Sequence, residues 1–333
     1  MSKIKQITYN TSLNKISRKT AIKVEQIANL KFEKCYNWIP AGSQGTYRNN
    51  CNKKRYELQC EQDITSKKSI YQHCNKLDCE KCFITACSVK ARKLNDRLKE
   101  FRRICYANGI GIGKIMHFSI IFHIRRDTFE TYQKYLKFKK KIVYPMLKDM
   151  GVLGGIIFLH LWSSVCKQCN EKVYFCKCTE KDRTIEKMLN VHIHVIGFGY
   201  LMNNSEFREK YPNTTYRNHL PRRNNVYYTI FYILSKIALW KDSSGVKNSY
   251  NLFGYLHQSK FRIVKTYKTQ ITDNCPICKR PRYICKIENA DLHSKKIWTI
   301  KTTQRKYKLK DVEVLKRMVN NNYTPSEMKI LHE

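Results

Sequence analysis

The sequence predicts an α+β protein built on one mostly antiparallel sheet with flanking helices and zinc-binding elements. Three observations lead there. Stretches rich in Ile, Val and Phe alternate with helical stretches in the order strand, helix, strand, insertion, strand, helix. Most of the fifteen cysteines fall into three closely spaced groups. Two histidines two residues apart, His192 and His194, lie inside a run that otherwise reads as buried strand.

At 333 residues the chain can bury a sizeable core and has room for about two domains. Its composition suggests three regions: a basic, cysteine-bearing stretch over 1–110, a core over 111–260 with a cysteine-rich insertion at 163–185, and a basic C-terminal stretch over 261–333. Residues 86–105 read as a helix made positive by Lys90, Arg92, Lys93, Arg97, Lys99, Arg102 and Arg103, either a solvated face or a backbone contact for a polyanion. The alternation at 114–124 predicts a strand. A helix is expected over 130–150, with Tyr132, Tyr135, Leu136, Ile142, Met146 and Leu147 on its apolar face. Gly151, Gly154 and Gly155 lead a second strand over 151–162, and 189–198 is the strand of the two histidines. After a polar loop at 201–224, residues 227–238 predict a helix that buries Phe231, Leu234 and Ala238.

Lys and Arg number 64 against 26 Asp and Glu, a formal net charge of +38. Nucleic acid is the natural partner for that excess, through phosphate neutralisation and counterion release, although an AT-rich genome also enriches lysine. Twenty-two tyrosines and four tryptophans add surfaces on which unpaired bases can stack. The longest apolar runs fall well short of the roughly 20 residues that span a bilayer, and residues 1–6 lead into more lysines without an apolar segment. The expectation is a cytoplasmic protein without a membrane partner, whose cysteines are thiols or metal ligands and not disulfides. No Gly-x4-Gly-Lys-Ser/Thr phosphate loop is present, which argues against a helicase motor.

The cysteine spacings point to structural zinc. Cys74-x4-Cys79-x2-Cys82, preceded by Cys60, forms a first group. Cys166-x2-Cys169 and Cys176-x-Cys178 put four thiols into thirteen residues, where a short excursion between strands would draw its stability from the metal. Cys275-x2-Cys278 with Cys285 makes a third group, and His293 is a possible fourth ligand. Cys35, Cys87 and Cys105 read as ordinary core residues.

Residues i and i+2 of a strand leave the same face, so His192 and His194 project together about 7 Å apart and can share one divalent ion, or simply pack. In the following helix Tyr228, Tyr232 and Lys236 fall at i, i+4 and i+8, one stripe on successive turns. A phenol beside an ammonium and near a metal-held phosphate is a plausible nucleophile; the alternative is a tyrosine-lined helix edge.

A His-x-His strand followed by a Tyr-x3-Lys helix resembles the HUH endonuclease superfamily, and more narrowly the rolling-circle replication initiators of archaeal plasmids and viruses. The likeness spans roughly 60–290. It rests on the run 191–201, on Gly154 to His160 as the preceding strand, on Tyr232 to Lys236, on the aromatic-glycine run 251–256, and on the first cysteine group. It implies an HUH core, ferredoxin-like or RRM-like, in which His192 and His194 hold the catalytic Mg²⁺ or Mn²⁺. Tyr232 would be the nucleophile, assisted by Lys236, with Tyr228 as a possible second. The third ligand varies in the superfamily; His160 is the candidate, with Glu186 as fallback. The implied activity is nicking of a single-stranded or extruded DNA origin to give a 5′-phosphotyrosine and a free 3′-hydroxyl, with host polymerase and helicase as partners. A transposase of the same superfamily and a non-catalytic, zinc-stabilised DNA-binding protein are the competing readings.

Overall fold

The computed structural model describes residues 37–43, 51, 54–60, 67–122, 126–169, 176–179, 185–199, 201–219, 224–275, 277–287, 290–297 and 299–322. Strands β1 (Trp38–Pro40), β2 (Lys54–Cys60) and β3 (Lys68–Tyr71) precede helix α1 (Phe83–Ala107). Strand β4 (Met116–Phe122) leads through a short 3-10 turn (Arg126–Phe129) into α2 (Tyr132–Phe138), a π turn (Lys139–Val143) and α3 (Tyr144–Asp149). Next come β5 (Val152–Cys166), β6 (Ile185–Gly199), α4 (Asn204–Lys210), β7 (Thr214–Asn218) and α5 (Tyr227–Ser235). The chain continues through β8 (Ala238–Asp242), β9 (Gly245–Asn248), β10 (Asn251–Gly254), β11 (Phe261–Thr272), β12 (Arg282–Ile287), β13 (Ala290–Ile297), β14 (Thr299–Leu309) and α6 (Val312–Asn322).

The architecture is α+β with antiparallel pairing. The largest sheet has five strands in the order β10-β5-β6-β4-β7. A three-stranded sheet runs β1-β8-β9, a four-stranded one β13-β12-β2-β3, and β11 pairs with β14 alone. In the four-stranded sheet Leu58 lies opposite Ile284 and Tyr56 opposite Ile287, so the N-terminal and C-terminal stretches that composition sets apart share a sheet. The chain divides into two compact units, one of residues Met1–Lys34 with Trp162–Asn190 and the other of Cys35–Leu161 with Val191–Glu333. Among the described residues no helix is long and apolar enough to cross a membrane.

One face of the five-stranded sheet supplies Ile156, Phe158, Ile196 and Phe198 to the main core, where they meet α1 and α5. Helix α1 buries Ala91, Leu94, Leu98, Phe101 and Cys105, a stripe at helical spacing, and α5 buries Ile230, Ile233 and Leu234. Cys87 and Cys105 are buried core residues, as expected; Cys35 lies outside the described residues. On the other face Phe122 packs edge-on against Phe138 at 5.1 Å, and Phe138 against Phe129.

Three local expectations need correction. The helix expected over 130–150 is broken by the π turn, which takes an extra residue per turn and rotates the apolar stripe. Ile142 is therefore exposed, while Phe138, Lys139 and Val143 are buried. Helix α5 ends at Ser235, whose hydroxyl donates to the Tyr232 carbonyl. Ala238 accordingly opens β8, opposite Pro40, and is not on the helix. Arg97 is not on the charged outer face of α1: its guanidinium is buried, donates to the Leu256 and Phe261 carbonyls, and stacks over Phe261 at 5.0 Å and Tyr307 at 5.4 Å.

Candidate functional site

Antiparallel register puts Ser119 opposite His194 and Ile121 opposite His192, so the face of β6 that carries the two histidines also carries His117 and Ser119 of β4. His219, just past β7, continues that row, its backbone N–H donating to the His117 carbonyl. On the other side β5 contributes His160. Five of the chain's ten histidines therefore meet on one sheet face, at the margin of the core formed by Ile196 and Phe198.

They form two overlapping triads that share His194. In each, one ring nitrogen per residue lies within 4.8 Å of the others, close enough for one ion. The first triad is His160, His192 and His194, with ring centroids 5.1 Å apart for His160–His192 and His192–His194 and 4.6 Å for His160–His194. The second is His117, His194 and His219. His117 Nε2 lies 3.1 Å from His194 Nδ1, the His117 and His219 rings stack at 4.4 Å, and His219 Nε2 lies 3.0 Å from Ser119 Oγ.

His160 is buried, and its Nε2–H donates to the backbone carbonyl of Ile233 at 2.9 Å. A carbonyl can only accept, so the proton is on Nε2 and the Nδ1 lone pair is left for a metal. Burial holds His160 far below the usual imidazole range; His192, Lys236 and His117 push the same way, against the Ile233 hydrogen bond. Desolvation does the same to His194, reinforced by His160, His192, His117 and His219. Both rings are thus neutral near pH 7, the form that ligates metal. Three imidazoles, one of them fixed by a hydrogen bond to a backbone carbonyl, fit a divalent ion of the Mn²⁺ to Zn²⁺ series better than Mg²⁺.

The Ile233 carbonyl belongs to α5, one residue past Tyr232. Tyr232 is half exposed and Tyr228 more so. Lys236, at the C-terminal cap of α5, donates from Nζ to Tyr232 Oη at 2.8 Å and lies 4.4 Å from the ring centre. The expected Tyr-Lys pairing therefore holds although the helix is shorter than expected. Tyr228 stands one turn earlier, its ring 5.0 Å from that of Tyr227.

Apart from the core residues Cys87 and Cys105, the described cysteines gather in three groups, with memberships that partly correct the expectation. Cys166, Cys169, Cys176 and Cys178 assemble as expected, with Sγ···Sγ distances of 3.8 Å for Cys166–Cys178 and 3.5 Å for Cys169–Cys176. A tetrahedron with Zn–S bonds of ~2.3 Å has edges of about 3.8 Å, so this group could hold zinc. The first group is Cys51, Cys74, Cys79 and Cys82, at the N-terminus of α1. Cys60 is not in it. As the last residue of β2 it lies opposite Arg282 of β12, beside the Cys275-x2-Cys278 turn, and its Sγ is 3.1 Å from that of Cys278. The side chains of Cys285, His293 and Glu186 lie outside the described residues. Sequence reading missed His117, His219 and Cys51. The alternation of β4 puts His117 on the same face as Ser119, but only the register with β6 shows what it meets.

Comparison of the chain with protein-family models, with curated proteins and with solved structures found no match in any of the three.

Proposed function

We propose that the protein is a metal-dependent DNA-nicking enzyme of the HUH type that initiates rolling-circle replication, with Tyr232 as nucleophile. The observation that carries this reading is the His160–Ile233 hydrogen bond, which fastens the tyrosine helix to a three-imidazole cluster. A helix edge that merely happened to carry tyrosines would not need a buried histidine beneath it, nor a lysine bonded to the phenol.

His160, His192 and His194 would hold the ion, which when bound supplies positive charge to a phosphate and lowers the repulsion met by an incoming anion. Lys236 orients the phenol and stabilises charge on its oxygen. Tyr232 Oη bonds to phosphorus as the P–O3′ bond breaks; the phenol gives up its proton to water and the departing O3′ takes one back. The products are a 5′-phosphotyrosine and a 3′-hydroxyl able to prime a host polymerase, with strand separation left to a host helicase. Tyr228, one turn away, would be the second nucleophile in a two-tyrosine cycle. The +38 charge supports a polyanionic substrate, and the three thiol groups support structural zinc.

The test is incubation with single-stranded oligonucleotides tiling the replicon that carries the gene, with Mn²⁺ or EDTA, resolved on a denaturing gel. The expected result is a Mn²⁺-dependent covalent adduct that Tyr232→Phe abolishes while binding persists. An adduct lost in Tyr228→Phe and kept in Tyr232→Phe moves the nucleophile. Salt-sensitive binding without cleavage in any metal overturns the enzyme reading in favour of a zinc-stabilised DNA-binding protein.

A further inference from the structure

Strands β11 and β14 form an antiparallel ribbon of eleven residue pairs, from Phe261 opposite Leu309 to Thr272 opposite Thr299, that joins no other strand among the described residues. Its root is anchored in the core: Phe261 and Leu309 are buried, and Tyr307 stacks on Phe261 at 4.8 Å. Beyond the root every residue of β11 is exposed.

The register sets four of the ribbon's seven cations on one face. Arg262 lies opposite Lys308, and after a bulge at Ile263 and Val264, Lys265 lies opposite Lys306. Directly opposed residues share a face, and the bulge brings these two pairs onto the same one. Four exposed cations are thus packed side by side in like-charge cross-strand pairs, each destabilising on its own. Neither strand contains an Asp or Glu, and among the described residues none of the four pairs with a carboxylate. Further along the same face come Tyr267 opposite Gln304 and Thr269 opposite Thr302. The ribbon accepts an electrostatic cost that a polyanion would cancel.

We propose that this ribbon is a duplex-DNA-binding arm, separate from the tyrosine site, that lies in the major groove and holds the phosphates flanking it through Arg262, Lys265, Lys306 and Lys308. A B-form major groove is about 12 Å wide and admits a two-stranded ribbon. Eleven pairs at ~3.3 Å each span about 36 Å, close to one helical turn of DNA. Tyr267 is the only aromatic residue on that face, too few for the stacking platform a single strand requires. The deep, narrow major groove of A-form RNA would not admit the ribbon. The inference rests on the proposal that DNA is the substrate, but not on cleavage.

The test compares the full-length protein with a variant carrying Arg262→Ser, Lys265→Ser, Lys306→Ser and Lys308→Ser, which relieves repulsion and so preserves folding. A control of equal charge change carries Lys137→Ser, Lys140→Ser, Lys141→Ser and Lys148→Ser, all exposed on the α2–α3 segment. Binding to a 30-base-pair duplex and to a single strand of equal length is measured by anisotropy across a salt series. The ribbon variant is expected to lose about 100-fold or more in duplex affinity at 0.1 M salt and to flatten the log–log salt slope by about 3 to 4, near 0.9 per phosphate contact. The control should change little, and adduct formation on a single strand should persist in the ribbon variant. Equal losses in the control, equal losses on the single strand, or an unchanged duplex slope each overturn the ribbon assignment. Failure of the nicking reading registers separately, as wild-type protein that binds duplex through the ribbon and forms no adduct.

Discussion

His160 is the residue on which the two halves of the site depend, so replacing it separates ligation from packing. In His160→Phe an aromatic ring is kept, but the proposed Nδ1 ligand is lost and the buried Ile233 carbonyl loses its donor. An unsatisfied buried carbonyl costs about 1–3 kcal/mol, which sets the expected loss of stability without metal. In wild type, Mn²⁺ at 100 times its Kd should add about 2.7 kcal/mol, and at roughly 2 °C per kcal/mol for a protein of this size the melting temperature should rise by about 5 °C. Losing a ligand should cost more than the 10–100-fold typical of losing a group behind one, so His160→Phe should show almost none of that rise. His160→Gln, whose amide can still donate to Ile233, should recover much of the metal-free stability and none of the Mn²⁺ response. Thermal unfolding with EDTA or Mn²⁺ reads both quantities. A full Mn²⁺-dependent rise in His160→Phe would refute the assignment, and its loss in His219→Ala would place the ion in the other triad.

Lys139 is buried over the Tyr135 and Tyr144 rings, where burial lowers its ammonium from 10.5 to about 8. The unfolded chain keeps that proton up to 10.5, so it binds more protons than the folded one between these values, and stability contributed here rises with pH. The stability advantage of Lys139→Met over wild type should shrink by about 2 kcal/mol between pH 8 and 10 in urea titrations, and a constant gap would contradict it. Cys51→Ala and Cys60→Ala should each disturb a different metal site, so their losses of bound zinc, measured by mass spectrometry, should add; non-additive losses would return Cys60 to the first group. Arg97→Lys should destabilise by about 2 kcal/mol in denaturant unfolding, because an ammonium cannot reach both the Leu256 and Phe261 carbonyls while stacking on Phe261 and Tyr307; a change under 0.5 kcal/mol would show the fork to be dispensable.

What could be read from the sequence divides along a physical line. Features fixed by spacing along one element were legible: the shared face of His192 and His194, the one-turn step from Tyr232 to Lys236, and the four thiols packed between Cys166 and Cys178. Features fixed by which strand lies beside which were not. His117 and His219 join the site only because β4 sits between β6 and β7 in the register that sets Ser119 against His194 and Ser119 against Arg217. Cys60 leaves its sequence neighbours because β2 pairs with a strand more than two hundred residues away. Local periodicity was also misleading where tertiary demands intervened, as at the π turn, whose extra residue shifts the apolar stripe and buries Lys139.

The same division bears on the choice between the two histidine triads. His194 cannot offer one lone pair to both ions, and a ring that ligates through Nε2 carries its proton on Nδ1, where it can donate to His117 Nε2 3.1 Å away. His117 would then orient a ligand from behind, a familiar arrangement around metal-bound imidazoles. The reverse arrangement, with the ion between His117, His194 and His219, would leave the neutral His160 ring buried beside two other imidazoles with its Nδ1 lone pair serving no ion. The first arrangement gives each of the five rings a use: three as ligands, one as the acceptor behind His194, and His219 stacked on that acceptor with its Nε2 beside Ser119. It also puts the ion on the side of the cluster that is tied to α5, where the tyrosines are.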